Sequence, residues 1–185
     1  FSGYNTIEKF DLVDESFSIL ASCPTMDVFC TDPDGIIYAL DSDLHLMQRL
    51  SVSGEYLNSW QCCGGESMAA SSDAIYVCDI LNDRILKYTH EGELVTEWGR
   101  HGERNGEFSY PYLITVAGDG TVIVCDGDRF QKFTSNGAFL ASSKINQVSK
   151  YSLPIGVVAD SHGAIYVLNH EMSCVMKYMK ADDSN

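Results

Sequence analysis

Short apolar runs of four to six residues, broken by pairs such as Asp-Gly, Asn-Gly and Glu-Gly, recur along the whole chain, and no helical periodicity is sustained anywhere. Aligning the chain to itself brings four runs into register: "DGIIYALD" (34–41), "DAIYVCD" (73–79), "DGTVIVCD" (119–126) and "HGAIYVLN" (162–169). Each is a turn pair, then a β-branched or aromatic run, then a carboxylate or amide. The closing residues Asp41, Asp79, Asp126 and Asn169 stand 38, 47 and 43 residues apart. A second series follows the first: "LMQRL" (46–50), "RILKY" (84–88), "RFQKF" (129–133) and "CVMKY" (174–178), with an extra copy, "TIEKF" (6–10), ahead of them all. A third series closes each unit: "SGEYLNSW" (53–60), "EGELVTEW" (91–98) and "NGAFLASS" (136–143), with "DESFSIL" (14–20) beside the extra copy. Weaker opening runs are "MDVFCT" (26–31), "YLITVA" (112–117) and "IGVVAD" (155–160).

Short strands with turn signals at each end, repeated every 40 or so residues, predict an all-β fold, a β-propeller of four-stranded antiparallel blades. Blades are expected at about 1–22 (partial), 23–63, 64–107, 108–150 and 151–185 (partial), about four in one domain. The continuous "IYV" and "VIV" runs suit strands packed on both faces by neighbouring blades. The Asp closing each second strand is expected to accept hydrogen bonds from the loop after it. Glycines 35, 92, 120, 137 and 163 fall in turns where a positive φ is expected. "EWGRHGERNGEFSYP" (97–111) then becomes the connection from the outer strand of one blade to the inner strand of the next, anchored by Phe108 and Pro111. The strand inventory has one third strand more than a four-blade ring needs. The ring therefore closes with four blades, belongs to a larger propeller, or is completed by another chain, and "DESFSIL" is one outer strand available to "CVMKY".

Composition narrows the partners. Twenty-six acidic residues against twelve basic give a net charge of -14, which disfavours a polyanion such as RNA. No apolar run approaches a membrane span, and "FSGYNTIEKF" is not a signal peptide; the missing initiator Met fits a processed chain or part of a longer one. Seven cysteines, an odd number without a CxxC pair, and no N-x-[ST] sequon fit a cytoplasmic home, with an extracellular, disulfide-bearing propeller as the alternative. Cys78 and Cys125, at equivalent places, read as small buried hydrophobes.

With these residues aligned, the chain resembles the NHL-repeat propellers. "IYVCDILNDRILKY", "EGELVTEWG" and "GRHGERNGEF" carry the resemblance best, and "PIGVVADSHGAIYVLNHEMSCVMKY" nearly as well; the 24–63 copy is degenerate and "CDGDRFQKF" is shortened. It is similar in particular to the C-terminal propellers of tripartite-motif (TRIM) ubiquitin ligases. That resemblance implies a module that captures a partner or ubiquitination substrate, sometimes RNA, with any ligase activity elsewhere in a longer protein.

No catalytic constellation emerges, and neither a cofactor nor a metal is expected. A related amidating lyase holds zinc through histidines that include the position after a repeat-opening proline, but Tyr112 and Ile155 stand there. The histidines at 45, 90, 101, 162 and 170 fall in differing loops. "GESMA" lacks the last glycine of a nucleophile elbow, and "GRHGERNG" has no P-loop lysine. "TDPDG" and "CDGDR" do not complete a calcium loop, and the adjacent Cys62 and Cys63 read as incidental thiols more than a redox pair. The expectation is a non-catalytic interaction module. Its face is formed by the second-to-third-strand loops and the blade linkers, with Arg84, Arg100, His101, Arg104, Asp128, Arg129 and His170 as polar anchors and Tyr112 as an aromatic one. The expected occupant is a protein ligand. Self-association is the further possibility if the ring does not close alone.

Overall fold

The computed structural model describes residues 6–11, 13, 15–22, 26–145, 153–160, 163–169 and 173–178. Among the described residues, seventeen strands fall into four propeller blades and one leading hairpin. The hairpin is β1 (Thr6–Asp11) with β2 (Ser16–Ser22). The first blade is β3 (Val28–Thr31), β4 (Ile37–Asp41), β5 (Leu46–Leu50) and β6 (Tyr56–Gln61). The second is β7 (Met68–Ala70), β8 (Ile75–Asp79), β9 (Arg84–Tyr88) and β10 (Leu94–Trp98). The third is β11 (Pro111–Val116), β12 (Val122–Asp126), β13 (Arg129–Phe133) and β14 (Phe139–Lys144). The fourth blade has β15 (Pro154–Ala159), β16 (Ile165–Asn169) and β17 (Cys174–Tyr178).

Every blade is an antiparallel meander, and the first strands β3, β7, β11 and β15 are successive neighbours along the inner wall. β4, β8 and β12 are buried at all five positions, as strands sandwiched between blades must be. At about 1.5–3 kcal/mol for each large apolar side chain taken out of water, these strands carry most of the core. The core lies in the gaps between blades: Tyr76, Cys78 and Ile85 of the second blade pack with Phe108, Val122, Val124 and Phe133 of the third. Cys78 and Cys125 are fully buried in it, and burial raises both thiol pKa values.

The expected turn glycines do take positive φ, for example Gly92 at 97° and Gly137 at 83°. Both have a second reason to be glycine. A Cβ at Gly92 would lie 2.3 Å from the Trp60 ring, and one at Gly137 would lie 2.6 Å from Trp98. A tryptophan on the last strand of one blade thus wedges against the hairpin turn of the next. Gly54 meets the Leu20 backbone in the same way, so β2 occupies the outer-strand place ahead of the first blade. Among the described residues β2 pairs only with β1, and β17 only with β16. The outer edge of β17 is therefore not covered by "DESFSIL".

Candidate interaction face

Antiparallel meanders put the second-to-third-strand loops and the blade linkers on one face of the disc. Contacts between them bear this out. Ser42 Oγ donates to the Gly65 carbonyl at 2.8 Å, and a Cβ at Gly99 would lie 2.9 Å from the Asp83 carbonyl oxygen.

The linker from Gly99 to Tyr110 dominates this face and is held from below. Phe108 is fully buried and packs on Phe133 with ring centroids 5.5 Å apart, which leaves Gly99 no room for a side chain. Gln131, also fully buried, accepts from the Gly106 amide at 2.9 Å and donates to the Glu107 carbonyl at 2.6 Å. Asp126 Oδ1 accepts the Ser109 and Tyr110 amides at 2.8 and 2.7 Å. The Asp residues that close the second strands therefore divide their work. Asp41 accepts the Leu44 amide at 2.7 Å, as the Asx-turn expectation has it, whereas Asp126 serves the linker that enters its blade.

Arg84 and Arg129 head their strands in the second and third blades and pair with those same carboxylates. Arg84 Nε donates to Asp79 Oδ2 at 2.8 Å and Nη1 to Glu97 Oε2 at 2.7 Å. Arg129 Nε donates to Asp126 Oδ2 at 2.9 Å, while its terminal nitrogens donate to the Glu103 and Glu107 carbonyls at 2.5 and 2.9 Å. Asp79 and Asp126 are buried, so both pairs are charge-assisted struts within the fold. In the first and fourth blades Leu46 and Cys174 hold the equivalent places, and neither side chain can donate to such a charge-assisted pair.

Arg100 and His101 are different. Their side chains are 75% and 81% exposed, although each has an acidic neighbour. Arg100 Nη2 donates to Glu107 Oε1 at 2.8 Å, and His101 Nδ1 lies 2.8 Å from Asp83 Oδ2. Asp83 projects from a left-handed residue, φ 51°, after the short 3-10 turn Ile80–Asn82. The Arg100 hydrogen bond holds the Glu107 carboxyl below the usual carboxylate range. Glu107 Oε2 also accepts the Arg104 amide at 3.1 Å, and the Arg104 and Asp128 side chains are exposed.

Tyr112 is a correction. It is 8% exposed, packs with Ile123, Cys125 and Ile165 between the third and fourth blades, and belongs to the core, not to the surface. Its neighbour Tyr110, 5.5 Å away ring to ring, is 45% exposed and holds the outward position. The register shift between Pro111 and Leu113 explains the exchange, since without it residues two apart would share one side of the strand. His170 and His162 lie outside the described residues. Sequence reading missed Glu107 and Gln131; the signal for Gln131 was a lone amide in an otherwise apolar and basic strand, "RFQKF".

Cys62 and Cys63 follow β6, with sulfurs 4.0 Å apart, and the hydrogen bond between them lowers the Cys62 thiol and raises Cys63. The six cysteines among the described residues are free thiols, and no group of three or more His, Cys, Asp or Glu among those residues is placed to hold a metal ion.

No family model matches the chain. Solved structures do. The chain is similar to streptogramin B lyase at 16% identity and TM-score 0.67, over 97% of this chain and 63% of that one. It is similar to virginiamycin B lyase from Staphylococcus aureus, the inactive H270A form with quinupristin, at 15% identity and TM-score 0.69, over 97% and 64%. A protein of unknown function from Bacteroides thetaiotaomicron matches at 15% identity and TM-score 0.71, over 95% and 54%. The chain thus spans less than two thirds of each of these three proteins. At this identity the likeness is one of fold, and it agrees with the blades described above: the chain is a β-propeller.

Proposed function

We propose that this propeller is a non-catalytic protein-interaction module whose partner docks on the face built from the 99–110 linker and the neighbouring second-to-third-strand loops. The observation that carries the reading is the contrast in exposure among the basic residues of that face. Arg84 and Arg129 are spent on internal struts, whereas Arg100 and His101 project on a linker that Gln131, Asp126 and Phe108 hold in place. Recognition groups held on a fixed support lose less entropy on binding than mobile ones. Acidic neighbours make the patch mixed in sign, which suits a protein segment better than a polyanion. The NHL resemblance, which rests on sequence motifs, adds that the captured protein is a ubiquitination substrate and that the transferase lies in another domain. A lyase reading has only fold likeness behind it and is not carried over.

The test immobilises the chain at physiological salt and passes cell lysate over it with and without nuclease. Specific protein bound after nuclease, lost on Arg100→Ala or Arg104→Ala and retained on a substitution of the opposite face such as Ser53→Ala, supports the proposal. Capture that depends on RNA, or that ignores these arginines, overturns it.

A further inference from the structure

The two inner junctions and the last one are built from the same strand positions but filled differently. In the first blade Trp60, opposite Met47 in the register, stands edge-on to Tyr38 with centroids 6.5 Å apart. In the second, Trp98, opposite Ile85, stands edge-on to Tyr76 at 6.2 Å and reaches Phe133 of the next blade at 5.9 Å. The third blade has Ser143 opposite Phe130 at the tryptophan position, and Ile123 at the tyrosine position. Both members of the aromatic pair are gone. At the tryptophan position, beside Ser143 and between β13 and β14 of the third blade and β16 and β17 of the fourth, is a cavity of ≈ 740 Å³. Phe130, Leu140, Ile165 and Tyr178 supply its apolar wall, while Asp119, Thr121, Lys132 and Ser143 supply polar groups.

We propose that this cavity binds a small planar aromatic molecule, seated where the sister junctions hold their indole. Three observations support that occupant. The internal repeat shows twice that an indole fits against a third-strand apolar residue and the next blade in this geometry. The volume lies within the range of small-molecule pockets, roughly 300–1,000 Å³, and exceeds what one side chain would fill. The third is Lys132. Its sister Lys87 lies 5.6 Å from the Tyr76 ring centre and 3.9 Å from Asp73. Lys132 stands at the same strand position with Asp119 beside it, and no described ring covers it, because Ile123 replaces the tyrosine. A ligand ring there regains the cation–π contact. This site is separate from the proposed interaction face and does not rest on it.

Indole is the probe, titrated into the full 185-residue chain and followed by amide NMR shifts. Saturable shifts centred on Thr121, Phe130, Ile165 and Tyr178 are expected. Ser143→Trp, which refills the junction, should weaken binding about tenfold or more, a loss readily resolved by titration. Lys132→Met should weaken it about threefold, the scale of an exposed cation–π contact. It also keeps the test alive if Ser143→Trp does not fold. Absent or scattered shifts, or undiminished affinity in a folded Ser143→Trp, overturn the site. So does a chain that self-associates without probe and becomes monomeric on Ser143→Trp, since the occupant would then be a second copy.

Discussion

The junction between the second and third blades and the junction between the third and fourth share their strand register but not their filling. The former is closed at both ends: Trp98 wedges against Gly137 on one side, and the 99–110 linker is tied down by Phe108, Gln131 and Asp126 on the other. The latter has Ser143, exposed, and a cavity. Blade repetition therefore sets the backbone, while the residues at two equivalent positions, Ile123 on the second strand and Ser143 on the fourth, set this junction apart. Trp60 Nε1 and Trp98 Nε1 are buried with no hydrogen-bond partner among the described residues, so the indoles serve by shape and apolar contact.

The largest expected effect follows. Trp98→Ala should cost about 3 kcal/mol in urea unfolding, the low end for a large aromatic because the ring is only half-buried. Trp98→Phe should cost about 1 kcal/mol, since no indole hydrogen bond is lost. Ser143→Ala, at the equivalent place, should stay within about 0.5 kcal/mol of the parent. Equal losses at 98 and 143 would break the comparison.

A smaller effect separates backbone strain from wedging. Gly120 and Gly137 have nearly the same φ, 81° and 83°, but a Cβ at Gly120 meets nothing within 4 Å while one at Gly137 meets Trp98. Gly120→Ala should cost about 1–2 kcal/mol for the left-handed backbone alone. Gly137→Ala should cost about 1 kcal/mol more, and that excess should vanish in a Trp98→Ala background, as a double-mutant cycle would measure.

How far this was legible in the sequence differs between strands and loops. All five third-strand runs were read to within a residue of their ends, because a basic residue followed by a large apolar one recurs at fixed places. β7 (Met68–Ala70) was not singled out, because three short residues carry little pattern of their own. Arg84 and Arg129 were legible as face residues, but not as struts, since their partners depend on which carboxylates the fold buries. Tyr112 was misplaced because the parity of β11 shows only once its bulge near Pro111 is known. The missing wedge spans two blades, and only the assembled junction shows what the change from tryptophan to serine leaves behind.

The linker tests the sealed junction from its other side. Gln131→Leu removes one acceptor and one donor that the Gly106 amide and Glu107 carbonyl use. Because the linker can turn outward and meet water, the cost should be about 1–2 kcal/mol, with faster amide exchange from 103 to 108 and little change at Ser142 or Ser143.

Smallest is the pH effect at Glu107, which sharpens the comparison because the third-to-fourth junction has no counterpart among the described residues. Arg100 and the Arg104 amide lower its folded-state pKa relative to an unfolded glutamate, whose ordinary value is about 4.3. The stabilisation is therefore fully present above that value and is lost as pH falls through the lower, folded one. The Arg100 side chain is mostly exposed, so solvent screens the pair. The effect should appear as local loosening of the linker before global unfolding, read as rising amide exchange at Gly102 and Phe108 below about pH 4. Glu107→Gln should show that loosening already at neutral pH and flatten its acid dependence. An unchanged acid limb would place the titrating latch elsewhere in the junction.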